Sequence, residues 1–153
     1  MSSLKSMHHD EPLWIRHAPE LFLTVCCSPR GPNQLCLEPA ASTVMGAVQF
    51  YIDNGTWWTE KFLLMPDHFH AVVCVAPNRD VSRVIGAFKR FTARRAGIRW
   101  QCNHFVQPLG SQQTRVLKWG HVLDNPVRAG LVATADEWPY RFEGRPVRSV
   151  TVC

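Results

Sequence analysis
At 153 residues the chain has the length of one ordinary domain, and its 46% apolar and 19% charged residues match a globular protein. No apolar run approaches the roughly 18–20 residues of a membrane span, and the opening MSSLKSMHHDEPLW lacks the apolar stretch of a secretory signal, so the expected compartment is the cytoplasm. The net charge of +5 is concentrated: residues 79–99 hold seven arginines and lysines against the single acid Asp80, and the rest of the chain is close to neutral.

Residues 1–18 read as an irregular lead-in broken by Pro12, with Pro19 just beyond and with His8 and His9 facing solvent. The main domain is expected over 19–142, followed by a tail at 143–153. Leu21 to Cys27 is an apolar run and reads as a strand, and Pro29, Gly31 and Pro32 mark a turn after it. Glu38 to Asp53 reads as a helix, with Val44, Ala47, Val48 and Tyr51 at helical spacing and Asn54-Gly55 as its stop. Trp57 to Met65 and His68 to Ala76 read as two strands joined by Pro66-Asp67, a connection short enough for an antiparallel hairpin.

Arg79 to Ala96 has the pattern of an amphipathic helix ended by Gly97. Val81, Val84, Ile85, Phe88 and Phe91 trace its apolar stripe, while Arg83, Arg90 and Arg94 share a different face. A short strand follows at His104 to Gln107, then a last helix at Ser111 to Asp124 and a loop-rich tail after Gly130. The order β-α-β-β-α-β plus a helix predicts an α+β, ferredoxin-like split βαβ domain, an antiparallel sheet with its helices on one face.

The six cysteines form no C-x-x-C pair and no zinc spacing, so reduced, structural thiols are expected. The basic segment is the footprint of a protein that meets polyanions, nucleic acid among them, although a solvated helix face has the same composition. In His68-Phe69-His70 both imidazoles point to one face of a strand, where they suit a shared divalent cation. Alone, the pair is an unspecific signal, since strand histidines commonly serve surface or hydrogen-bonding roles. Asn125 lies one turn after His121 and offers an amide oxygen as a third ligand, yet Asn125-Pro126 is equally an ordinary helix stop.

Four segments occur in a telling order: MPDHFH at 65–70, FKRFTARRAGIRWQ at 88–101, NPVRAGLV at 125–132 and EWPY at 137–140. This combination resembles the REP-associated tyrosine transposases, a group of the HUH transposases acting on single-stranded DNA, over roughly residues 14–142. The resemblance implies binding of hairpin DNA from palindromic repeats, as a monomer or homodimer. It implies one Mg²⁺ or Mn²⁺ held at the positions of His68, His70 and Asn125. It also implies cleavage and transfer of a DNA strand by a tyrosine that becomes covalently linked to the 5′ phosphate.

The chain departs from that pattern where the chemistry is done. His121 stands at the position of the nucleophilic tyrosine, and the two tyrosines present, Tyr51 and Tyr140, lie in other segments. The acid and arginine usual after Trp100-Gln101 are also missing from residues 102–110. The expectation is a transposase-like protein impaired in cutting that still binds DNA through Arg83, Lys89, Arg90, Arg94 and Arg95, with Trp100 stacking on unpaired bases. The alternatives are a non-catalytic, domesticated DNA-binding module of regulatory function and a metal-dependent phosphodiesterase using bound water.

Overall fold
The computed structural model describes residues 11–143. Its elements run β1 (Leu21–Cys26), α1 (Ala40–Asp53), β2 (Trp57–Met65), β3 (His68–Val75), α2 (Val81–Ala96), β4 (Phe105–Pro108), α3 (Gln112–Leu123), α4 (Asn125–Arg128) and β5 (Arg141–Glu143). The five strands form one sheet in the order β4-β1-β3-β2-β5, and every pairing is antiparallel. The first four strands have the arrangement expected of a split βαβ domain, and β5 adds an outer edge.

Local chemistry sets the element ends. Helix α1 starts at Ala40 behind Pro39, and beyond Asn54 the chain turns at Gly55 with φ 79°. Helix α2 is capped by the Asp80 side chain, which accepts a bond from the Arg83 N–H at 3.3 Å, and is closed by Gly97 at φ 70°. The last predicted helix is divided. Helix α3 ends at Leu123, and α4 begins at Asn125 with Pro126 in its first turn, where a missing N–H leaves no bond unmade.

Period-two alternation sends the sheet's side chains into two cores. Leu23, Val25, Phe62, Phe69, Ala71 and Val73 meet Val44, Val48, Val84, Ile85 and Phe88 of α1 and α2 on one face. Phe22, Leu63 and Val72 meet Trp119 and Val122 of α3, with Trp138, on the other. The two helices of the split βαβ unit, α1 and α2, thus share one face as expected, and the added helix α3 covers the opposite face with its own apolar stripe.

Three local features add to or depart from the expected elements. Phe91, assigned to the apolar stripe of α2, is exposed. The stretch after Gly130 contains a short 3-10 turn at Ala135–Glu137 and strand β5, which pairs with Lys61, Phe62 and Leu63 of β2. Within the presumed lead-in, Leu13–His17 form a 3-10 turn, and Ile15 and Ala18 are buried against Cys74. His8, His9 and the tail beyond Glu143 lie outside the described residues.

Candidate functional site
Strand β3 is the middle of the sheet, and its pairing places the histidines. His68 lies opposite Cys26 and Met65, and His70 opposite Thr24 and Leu63. The intervening Phe69 enters the α1/α2 core, so both imidazoles face the α3 side, with ring centroids 4.8 Å apart.

Asp67 anchors the first imidazole. One carboxylate oxygen lies 2.8 Å from His68 Nδ1, and the other accepts bonds from Arg30 Nε at 2.9 Å and the Gly31 N–H at 2.8 Å. Burial alone raises a carboxyl pKa, but these three donors outweigh it and hold Asp67 well below the usual carboxylate range. An ionised carboxylate only accepts, so His68 carries its proton on Nδ1 and keeps a lone pair on Nε2. Burial lowers the His68 pKa against the opposing pull of Asp67.

His70 is held by a different partner. Its Nδ1 is 2.9 Å from the Thr24 hydroxyl, and its ring stacks on Phe22 at 5.3 Å between centroids. Burial, followed by the charges of His68, Lys118 and Arg30, brings its pKa down to about 3. Both rings are thus neutral at ordinary pH, the state in which imidazole binds metal ions. Nδ1 is engaged by an oxygen partner in each, which is how metal-binding histidines are commonly oriented.

His121, on α3, faces the same space. It lines an open cavity of about 400 Å³ with His70, Thr24, Phe22, Phe105 and Lys118. Lys118 Nζ is 2.7 Å from Gln107 Oε1 and 4.9 Å from the centre of the Phe22 ring. Asn125 is not among the residues lining this cavity. Its Oδ1 accepts a bond from Arg128 Nη2 at 2.5 Å, and the same guanidinium nitrogen reaches the His121 carbonyl at 3.1 Å. Among the described residues no cluster of three or more His, Cys, Asp or Glu is arranged to hold a metal ion.

The histidine pair therefore fits a divalent cation, and the third expected ligand fits it less well. A second positive charge at Asn125 Oδ1 opposes the cation already there.

The basic residues divide. Arg83, Arg90, Arg94 and Arg95 are exposed along α2, on the far side of the sheet from the histidines. Lys89 is buried instead, its ammonium bonded to the carbonyls of Gln101, Cys102 and Asn103 at 2.9, 3.2 and 3.3 Å. It closes the loop after α2 and is not available to phosphates. Trp100 is likewise packed: its indole N–H bonds Thr92 Oγ1 at 2.9 Å and its ring meets Phe69 edge-on. The structure thus corrects the assignment of Lys89 to DNA contact, while Trp100 is only partly buried.

A charged cluster invisible in the sequence supports α3. Arg115 Nη1 is 2.8 Å from Glu20 and 3.6 Å from Glu60, all three buried. Glu60 sits where the β2/β3 register shifts between Thr59 and Lys61. The Asp67–Arg30 and Thr24–His70 contacts were also not anticipated; Asp67, adjacent to His68, was the one local signal for them.

No family model matches the chain, and no curated protein matches it. Solved structures do. A REP-associated tyrosine transposase bound to a REP hairpin aligns with a TM-score of 0.71 at 18% identity, covering 88% of this chain and 82% of that one. A candidate transposase from Deinococcus radiodurans R1 aligns with a TM-score of 0.53 at 16% identity, covering 75% and 95%. At these identities the likeness is one of architecture: the chain has the fold of a REP-associated tyrosine transposase.

Proposed function
We propose that this protein is a member of the REP-associated tyrosine transposases that binds hairpin DNA and has lost efficient strand cleavage. The observation that carries this reading is His121 facing one cavity with His70, at the position where the family pattern has its tyrosine. Imidazole is shorter than phenol, and a misplacement of about 1 Å in a reacting pair costs about 100-fold in rate. The engagement of Asn125 by Arg128 points the same way.

His68 and His70 would hold Mg²⁺ or Mn²⁺ through the ring nitrogens that Asp67 and Thr24 leave free. When bound, such an ion polarises a phosphate oxygen. The chain's own groups do the remaining work. Asp67 and Thr24 fix the two rings, Arg115 fixes α3 over the sheet, and the exposed arginines of α2 supply phosphate contacts.

Binding is tested by titrating a labelled hairpin oligonucleotide with single-stranded flanks at increasing salt. The reading requires affinity that falls with salt, and a log–log slope that drops by about one for Arg90→Ala or Arg94→Ala. A chain that does not bind, or a slope indifferent to these arginines, contradicts it.

A further inference from the structure
Sequence-tolerant binding of unpaired nucleotides combines a cationic track with aromatic rings open to solvent. Trp100 is partly buried with its indole N–H held by Thr92, and two phenylalanines offer more open rings. Phe91 is 46% exposed on α2, between Arg90 and the pair Arg94–Arg95, and the Arg95 guanidinium sits 5.6 Å from its centroid. Across a groove floored by Gly46 and Ala47, Phe50 of α1 is 60% exposed. Phe50, Phe91 and Arg95 border this groove, of about 320 Å³, with Ser42 and Thr43 at its polar side.

We infer that the α1/α2 groove is a docking track for a single-stranded segment of DNA, its bases stacked on Phe91 and Phe50 and its phosphates on Arg90, Arg94 and Arg95. Charge selects the occupant. Residues 79–99 hold all of the chain's excess positive charge, which complements a polynucleotide and repels a second copy of the same surface. The groove is on the opposite side of the sheet from His68 and His70, so it serves retention of the strand and not its chemistry. The inference rests on the DNA-binding reading above and adds to it the rings and the face that engage unpaired bases.

The test uses the full chain, a labelled dT12 strand and a blunt hairpin with a 12-base-pair stem, read by fluorescence anisotropy. Phe91→Ala with Phe50→Ala is expected to weaken dT12 binding about tenfold or more and to leave the blunt hairpin nearly unchanged. Phe91→Trp retains dT12 binding, and Arg94→Ala weakens both probes. Unchanged dT12 affinity in the double variant overturns the inference while leaving DNA binding intact. A wild-type dimer that becomes monomeric in the double variant, by sedimentation velocity, overturns it in favour of a second copy of the chain. Failure of the wild type to bind either probe removes the DNA-binding reading and this inference together.

Discussion

Arg115 Nη1 lies 2.8 Å from Glu20 Oε2 across ninety-five residues of chain, with both side chains about nine-tenths buried. The pair joins α3 to the start of β1, and Glu60 of β2 adds a second carboxylate at 3.6 Å. The position of His121 over the sheet depends on this joint. Removing one member of a buried charge pair leaves the other uncompensated. Arg115→Ala is therefore expected to destabilise the fold by about 3–5 kcal/mol, measured by urea unfolding. A change below about 1 kcal/mol shows that α3 is held by Trp119 and Val122 alone.

Lys89 and Arg94 carry the same charge on the same helix and are expected to behave oppositely. Lys89→Met strands three carbonyls now bonded to its ammonium and lowers stability by a few kcal/mol, with the salt slope of DNA binding unchanged. Arg94→Ala leaves stability within about 0.5 kcal/mol and lowers the slope. Urea unfolding and salt titration of both variants separate the two roles.

His70 makes stability fall with acid. Its pKa is about 3 in the folded chain against about 6.5 in the unfolded one, so between those values only the unfolded state takes up the proton. Stability is therefore complete above about pH 6.5 and declines as pH falls toward 3, by about 1.4 kcal/mol per pH unit well inside that window. Asp67 adds to the loss at the acid end, since its depressed pKa gives stability that is lost as pH falls below about 4. His70→Gln is expected to flatten the profile between pH 6.5 and 4, read from urea midpoints. An unchanged slope contradicts the buried neutral ring.

For Mn²⁺, titration calorimetry is expected to show weak binding by the wild type that His68→Ala or His70→Ala abolishes. Thr24→Val, which removes the hydroxyl at His70 Nδ1, lowers the affinity about 10- to 100-fold. Arg128→Ala frees Asn125 Oδ1 and tightens binding. A metal affinity indifferent to all four places the ion elsewhere.

Much of this site was legible because it rests on strict local periods. Two residues apart on a strand is enough to put His68 and His70 on one face, and helical spacing is enough to bring Arg83, Arg90 and Arg94 together outside. Lys89 shows where charge alone misleads. It lies four residues after Ile85, one after Phe88 and three before Thr92, on the buried stripe, and the carbonyls of a later loop meet it there. The stripe itself was legible, whereas its acceptors were not. Phe91 erred in the other direction, as its apolar side chain was counted inward at the stripe's edge. The Glu20–Arg115–Glu60 cluster and three-residue β5 depend on contacts between distant segments, which no local pattern encodes. Which face of the sheet α3 covers was not legible, because its buried apolar residues, Trp119 and Val122, span only a short helix.

Position 121 is the proposed difference between this chain and a cutting enzyme. The most direct measurement is a denaturing gel for covalent protein–DNA adducts, using labelled single-stranded hairpins from palindromic repeats beside the gene, Mn²⁺, and the wild type alongside His121→Tyr. No adduct is expected with the wild type and a detectable one with the variant. An adduct formed by the wild type, mapped to its linked residue, contradicts the loss of cleavage.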